Sequence, residues 1–164
     1  MVENRLINSG VLGCAKIARR SVIPALLSCP ECFRLVAVAS RDKEKASDFA
    51  SQFSCEAVVG YENLIEREDI DALYIPLPTG LHFQWVSLAL NAGKHVYVEK
   101  SFAPSLAESA DLVGIAKRRN LGAMEGYMFL YHSQLEAALK IIRSGGIGEA
   151  RFFSGCFSFP PLDQ

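Results

Sequence analysis

Short apolar runs recur along the chain at residues 6–12, 34–39, 56–59, 72–75, 95–98 and 122–124, each of strand length. Helical patterns separate them, at 15–28, 43–53, 62–67, 79–92, 105–120 and 133–144. On the fifth of these, Leu106, Ala110 and Val113 keep the i, i+4, i+7 spacing of one buried face. Strands alternating with helices at this interval predict a parallel sheet covered by helices on both faces, a doubly wound α/β fold. The end of the chain departs from the pattern. After Gly145-Gly146-Ile147-Gly148, residues 149–159 read as one long strand. Phe153, Gly155, Phe157 and Phe159 lie on one side of it and Phe152, Ser154, Cys156 and Ser158 on the other, until Pro160-Pro161 stops it. An uncovered strand this aromatic invites pairing. It is expected either to join another chain, as in a homo-oligomer, or to open a second domain whose remainder is missing.

Composition narrows the class. Half of the 164 residues are hydrophobic and 21% are charged, which places the chain among globular proteins with a core of single-domain size. Seventeen Lys and Arg against 18 Asp and Glu leave a net charge of −1. The basic clusters, Arg19-Arg20 and residues 117–119, are short, so no nucleic-acid partner is expected. No apolar run approaches the roughly 18 residues that span a bilayer, and the first turns hold no signal-peptide core. The expectation is a cytoplasmic protein without membrane contact. Five cysteines, an odd number, predict free thiols rather than a disulfide framework. Cys29-Pro30-Glu31-Cys32 follows a helix and precedes a strand, the reverse of a redox motif, and reads as a loop with two thiols. His82, His95 and His132 are scattered, so no metal site is expected.

Chemistry-bearing residues gather where parallel strands end. The first strand runs into Gly13-Cys14-Ala15-Lys16-Ile17-Ala18, a GxGxxG pattern with alanine at its second and third glycines. Its place between a strand and a helix near the N-terminus is the setting a dinucleotide fingerprint requires, and the helix aims free N–H groups at an anion. Alanine at the second glycine is a departure that should push the phosphates slightly outward. At the end of the second strand stand Ser40 and Arg41, with Lys45 one helical turn on. A hydroxyl followed by a guanidinium fork suits a 2′-phosphate, so NADP is favoured over NAD, with Asp42 as a helix N-cap. After the fourth strand comes Pro76-Leu77-Pro78-Thr79, with His82 one turn further; after the fifth comes Glu99-Lys100-Ser101. Both segments border the crevice in which ligands of such sheets bind.

Together with Glu125-Gly126-Tyr127-Met128, these motifs resemble the glucose-fructose oxidoreductase / inositol dehydrogenase (Gfo/Idh/MocA) family along nearly the whole chain. Met124 to Gln134 and Ile147 to Pro161 look most like the NADP-dependent sugar ketoreductases of nucleotide-deoxysugar biosynthesis, with dihydrodiol and sugar dehydrogenases next. The resemblance implies a Rossmann domain over residues 1–125, then a crossover helix and the first strand of a truncated substrate and oligomerisation domain over 126–164. It implies a hydride passed between NADPH and the carbonyl of a sugar or nucleotide sugar. Cofactor contacts fall to Gly13, Cys14, Ala15, Lys16, Ile17, Ser40, Arg41, Lys45, Pro76, Leu77, Pro78, Thr79, His82, Glu99 and Lys100. Lys100 matches the lysine of the family's Glu-Lys-Pro motif, which reaches the reacting carbonyl, and Tyr127 is a helper near the substrate. Ser101 replaces the motif's proline, which removes the usual basis for a cis peptide and puts the aim of Lys100 in question. The family's second acid/base group, a His or Tyr, belongs to the missing domain. A non-catalytic dinucleotide-binding protein, or a subunit that depends on a partner, is the alternative. A methyltransferase leaves Ser40-Arg41 and Lys100 without a task.

Overall fold

In the computed structural model, which describes residues 5–156 and 158, the alternation resolves into one six-stranded sheet. Its strands are β1 (Ile7–Leu12), β2 (Phe33–Ser40), β3 (Glu56–Val59), β4 (Ala72–Ile75), β5 (His95–Val98) and β6 (Ala123–Glu125). Every pair is parallel, and the order is β3-β2-β1-β4-β5-β6. The direction of winding reverses between β1 and β4, which opens a crevice at the carboxyl ends of those strands.

Alternate residues of each central strand enter different cores, because successive side chains of a strand point to opposite faces. Leu12, Ala37, Ala39, Leu73, Ile75, Val96 and Val98 pack with Leu64, Trp85, Val86, Leu90 and Leu112. These come from α3 (Tyr61–Ile65), α4 (His82–Asn91) and α5 (Leu106–Arg119). Val11, Val38 and Tyr74 pack on the other face with Ile23, Phe49 and Ala50 of α1 (Ile23–Leu27) and α2 (Lys43–Phe53). Leu73 and Ile75 are fully buried, so truncating either to alanine costs about 2–5 kcal/mol. Lys94 is buried too, and it is satisfied by donating to the carbonyls of Arg67 and Ile70 at 2.6 and 2.9 Å.

Three expectations change. The first helix is interrupted by a π turn at Ala18–Val22, in which the Ile23 N–H bonds the Ala18 carbonyl. Pro24 follows at once, and having no N–H it cannot sustain the regular ladder. In α5 the inward stripe is Leu112 and Ala116, whereas Leu106, Ala110 and Val113 are exposed. The stripe from Leu106 runs on into Lys117, and the one through Leu112, Ile115 and Ala116 stays apolar. The long strand at 149–159 is absent from the described residues: 149–156 form no ladder, and Phe152 and Phe153 stand exposed. A strand needs a partner, and the described residues offer that segment none; Phe157, Phe159 and Pro160-Pro161 lie outside them.

The chain divides into two compact units, Met1–Gly126 and Tyr127–Gln164. The first holds the whole sheet. The second consists, in its described residues, of a 3₁₀ turn at Met128–Tyr131 and α6 (Ser133–Arg143), whose first turn is capped by the His132 ring accepting from the Gln134 N–H at 3.1 Å.

Candidate functional site

β1 ends at Leu12, and the chain turns away from the sheet at Gly13 with φ of +124°, held by its N–H on the Ala39 carbonyl at 3.0 Å. A Cβ at Gly13 would lie 2.7 Å from Leu77, so only glycine lets this turn and the loop after β4 meet. Cys14 is buried beyond the turn, with Ala15 and Ile17 half-buried and Lys16 exposed. Burial pushes the Cys14 thiol up, against the opposing influence of the nearby Lys45 and Arg19 charges. All five cysteines are free, as their number and setting predict.

Beside this turn, a cavity of about 480 Å³ is lined by Cys14, Ser40, Arg41, Asp42, Lys45 and Tyr61. Ser40, the last residue of β2, is buried, and its hydroxyl accepts from the Asp42 N–H at 3.2 Å, which leaves its own hydrogen to donate. Asp42 caps α2 by accepting from the Lys45 N–H. Among the described residues the Arg41 guanidinium and the Lys45 ammonium have no hydrogen-bond or ion-pair partner, and both side chains are exposed at the cavity. Two cations without a partner among the described residues and a hydroxyl donor thus meet at one opening, beside the Asp42 carboxylate that caps α2, and the cations have the chemistry to receive a phosphate. Tyr61 was not evident from the sequence. It is buried against Trp85, edge to face at 5.0 Å between ring centroids, and it follows Gly60, whose N–H bonds the Ser40 carbonyl. The signal was the Gly60-Tyr61 step at the carboxyl end of the strand that flanks β2.

Across the crevice, Pro76, Leu77, Pro78 and Thr79 follow β4, and Thr79 Oγ1 donates to the Lys100 carbonyl at 3.5 Å. The Lys100–Ser101 peptide is cis even though no proline follows, contrary to the sequence expectation. Its surroundings are ordered by side chains. The Tyr74 hydroxyl donates to Glu99 Oε1 at 2.6 Å, and Glu125 Oε1 accepts from the Phe102 N–H at 2.8 Å. Tyr74 also stacks on Tyr97 at 5.2 Å. Burial and the Glu99 carboxylate together push the Tyr74 phenol far up, so it remains a donor. The Lys100 side chain is exposed, with no hydrogen-bond or ion-pair partner among the described residues.

The predicted cofactor residues thus fall at the ends of β1, β2, β4 and β5. His82 differs from the others: it is fully buried, and both ring nitrogens are engaged by main-chain carbonyls. Tyr127 begins the second unit, where its ring meets Phe129 edge to face at 5.9 Å. Among the described residues, no three His, Cys, Asp or Glu side chains converge as metal ligands, and no helix is long and apolar enough to cross a membrane.

Residues 7–127 match the family model described as "Oxidoreductase family, NAD-binding Rossmann fold". The chain is 48% identical over 156 residues to the dTDP-3,4-didehydro-2,6-dideoxy-alpha-D-glucose 3-reductase of Saccharopolyspora spinosa, covering 95% of this chain and 47% of that one. It is 36% identical to D-xylose 1-dehydrogenase (NADP(+)) 2 of Haloferax volcanii, covering 92% of this chain and 46% of that one. Among solved structures it resembles KijD10, a 3-ketoreductase from Actinomadura kijaniata in complex with NADP and TDP-benzene. The TM-score there is 0.84 at 42% identity, over 88% of this chain and 44% of that one. The chain spans about half the length of the curated relatives it matches.

Proposed function

The chain belongs to the Gfo/Idh/MocA oxidoreductase family, and we propose that it supplies the cofactor-binding part of an NADP-dependent reductase acting on a keto group of a sugar, most specifically a nucleotide-linked sugar. The observation that carries the cofactor preference is the cavity at the end of β2. Ser40, Arg41 and Lys45 meet there as donors, while the neighbouring acid is spent on capping a helix. An NAD site of this fold places a carboxylate on the ribose hydroxyls; this one offers cations to a phosphate. Similarity to the NADP-bound ketoreductase and to the NADP-dependent xylose dehydrogenase supports the same reading.

The residues fit the cofactor. Gly13 leaves room at the turn, the first helix presents its N-terminus to the diphosphate, and Arg41 and Lys45 take the 2′-phosphate. When bound, the nicotinamide supplies the hydride. Lys100, at the carboxyl end of β5, donates to the carbonyl oxygen of the sugar, stabilises the charge that develops there and gives it a proton. The second unit begins the domain that holds the sugar, and the protein works in the cytoplasm, where free thiols persist.

The test has two arms. Titration of the reduced nicotinamide fluorescence is expected to give NADPH at least about tenfold tighter than NADH, roughly 1.4 kcal/mol. A protein extended to the length of its relatives is expected to oxidise NADPH with nucleotide-linked keto-sugars. Equal affinities would defeat the cofactor assignment, and NADPH binding without turnover on any keto-sugar would defeat the reductase.

A further inference from the structure

Two crevice loops converge on one buried side chain. His82 is fully buried, with Nδ1 2.6 Å from the Ser101 carbonyl oxygen and Nε2 2.6 Å from the Leu77 carbonyl oxygen. Carbonyl oxygens only accept, so a ring bonded to both donates from both nitrogens. No polar atom of the ring remains to touch a ligand. A core histidine that served only its own helix needs one partner nearby. This one joins the loop after β4 to the segment after β5, reaching 5 residues back along the chain in one direction and 19 forward in the other.

Ser101 directly follows Lys100, and the backbone on both sides of Lys100 is tied down. The Glu99 N–H donates to the Ile75 carbonyl and its carboxylate accepts from the Tyr74 hydroxyl, while the Lys100 carbonyl is held by Thr79, the Ser101 carbonyl by His82 and the Phe102 N–H by Glu125. Among the described residues the Lys100 ammonium has no partner, and it is the cation that this held backbone carries. We propose that His82 is a positioning residue for Lys100. Working through the Leu77 and Ser101 carbonyls, it clamps the two loops together, so that the ammonium of Lys100 is presented at one place in the crevice. The proposal rests on the reading of Lys100 given above. Its importance follows from geometry, since a displacement of about 1 Å in a catalytic group can cost about a hundredfold in rate.

The test is NMR on the whole chain, with histidine ring nitrogens and lysine Cε labelled. Both His82 nitrogens are expected to carry a hydrogen; one bare nitrogen overturns the double clamp. NADPH is expected to shift the Lys100 Cε signal in the unmutated chain. In His82→Leu that shift falls by at least half while the NADPH dissociation constant stays within about threefold, and in His82→Gln, whose amide can still donate, part of it returns. An unchanged shift in His82→Leu overturns the proposal, and so does a loss that simply parallels lost affinity and lost amide dispersion. If His82→Leu does not fold, the comparison of His82→Gln with the unmutated chain decides by the same criterion. If Lys100 ignores bound NADPH in the unmutated chain, the catalytic reading of Lys100 is what fails. The clamp is then judged on the cofactor-free Lys100 line: broadened or displaced in His82→Leu supports it, identical overturns it.

Discussion

The carboxylate of Asp42 accepts a hydrogen bond from the backbone N–H of Lys45 at 3.1 Å, so the acid nearest the end of β2 is turned into its own helix. That single bond starts α2 and engages one oxygen of a carboxylate that lines the cavity beside it. Asp42→Ala is therefore expected to lower stability by about 1 kcal/mol, the usual cost of a lost cap. Thermal unfolding measures it. NADPH affinity should hold or rise in the same variant, and a marked fall would show that Asp42 serves the nucleotide directly.

Arg41, like Lys45, is exposed at that cavity without a partner among the described residues. Arg41→Ala should weaken NADPH by about tenfold or more, from the loss of charge-assisted bonds worth about 1.5–3 kcal/mol, while NADH changes by less than about twofold. Paired fluorescence titrations at fixed salt give the ratio. Raising the ionic strength should narrow the preference of the unmutated chain for the same reason.

On the function proposed above, Lys100 meets the carbonyl oxygen of the substrate, and among the described residues nothing bonds its ammonium. Lys100→Met should leave the unfolding temperature nearly unchanged and NADPH affinity within about tenfold. In the protein extended to the length of its relatives it should abolish keto-sugar reduction. Residual turnover near the unmutated rate would assign the proton to another group.

The Tyr74 phenol is held far above its ordinary value by burial first and by the Glu99 carboxylate second. The sign follows from which form the fold favours. Folding favours the neutral phenol, so its contribution to stability is complete below the unfolded phenol value of about 10 and is lost as pH rises above it. Tyr74→Phe should flatten the decline in unfolding temperature between about pH 9 and 11. An equally steep decline in the variant would place the alkaline sensitivity elsewhere.

Much of this molecule was legible in the order of its residues, because parallel strands buried on both faces read as plain apolar runs. Leu73, Tyr74 and Ile75 are such a run, and the strand ends that follow each one mark the crevice without further information. The helices were harder. Leu106, Ala110 and Val113 make a plausible stripe, yet a second stripe offset by one residue buries Leu112 and Ala116, and only the continuation into Lys117 separates them. Residues 15–28 read as one helix, although Pro24 within them is the residue that could have signalled an irregular turn. Tyr61 comes to the site, and Glu125, read only as part of a motif, to the Phe102 N–H, through sheet order, a property of pairing between segments that local pattern does not contain. The engagement of both His82 nitrogens was likewise invisible, since its partners are backbone atoms and any residue could have supplied them.

The last paired residue of β2 is Ser40, opposite Val59, and the next residue already belongs to a bend that no neighbouring strand holds. Arg41 and Lys45 are consequently outside the packed interior on every side. On the function proposed above, this makes the choice between the two nicotinamide pools an independent trait of the protein. It can be altered by one or two substitutions at the rim with no repacking of Val38, Phe49 or Ala50 beneath, so descendants of this sheet can change the metabolic currency they draw on while inheriting the same fold at the same stability.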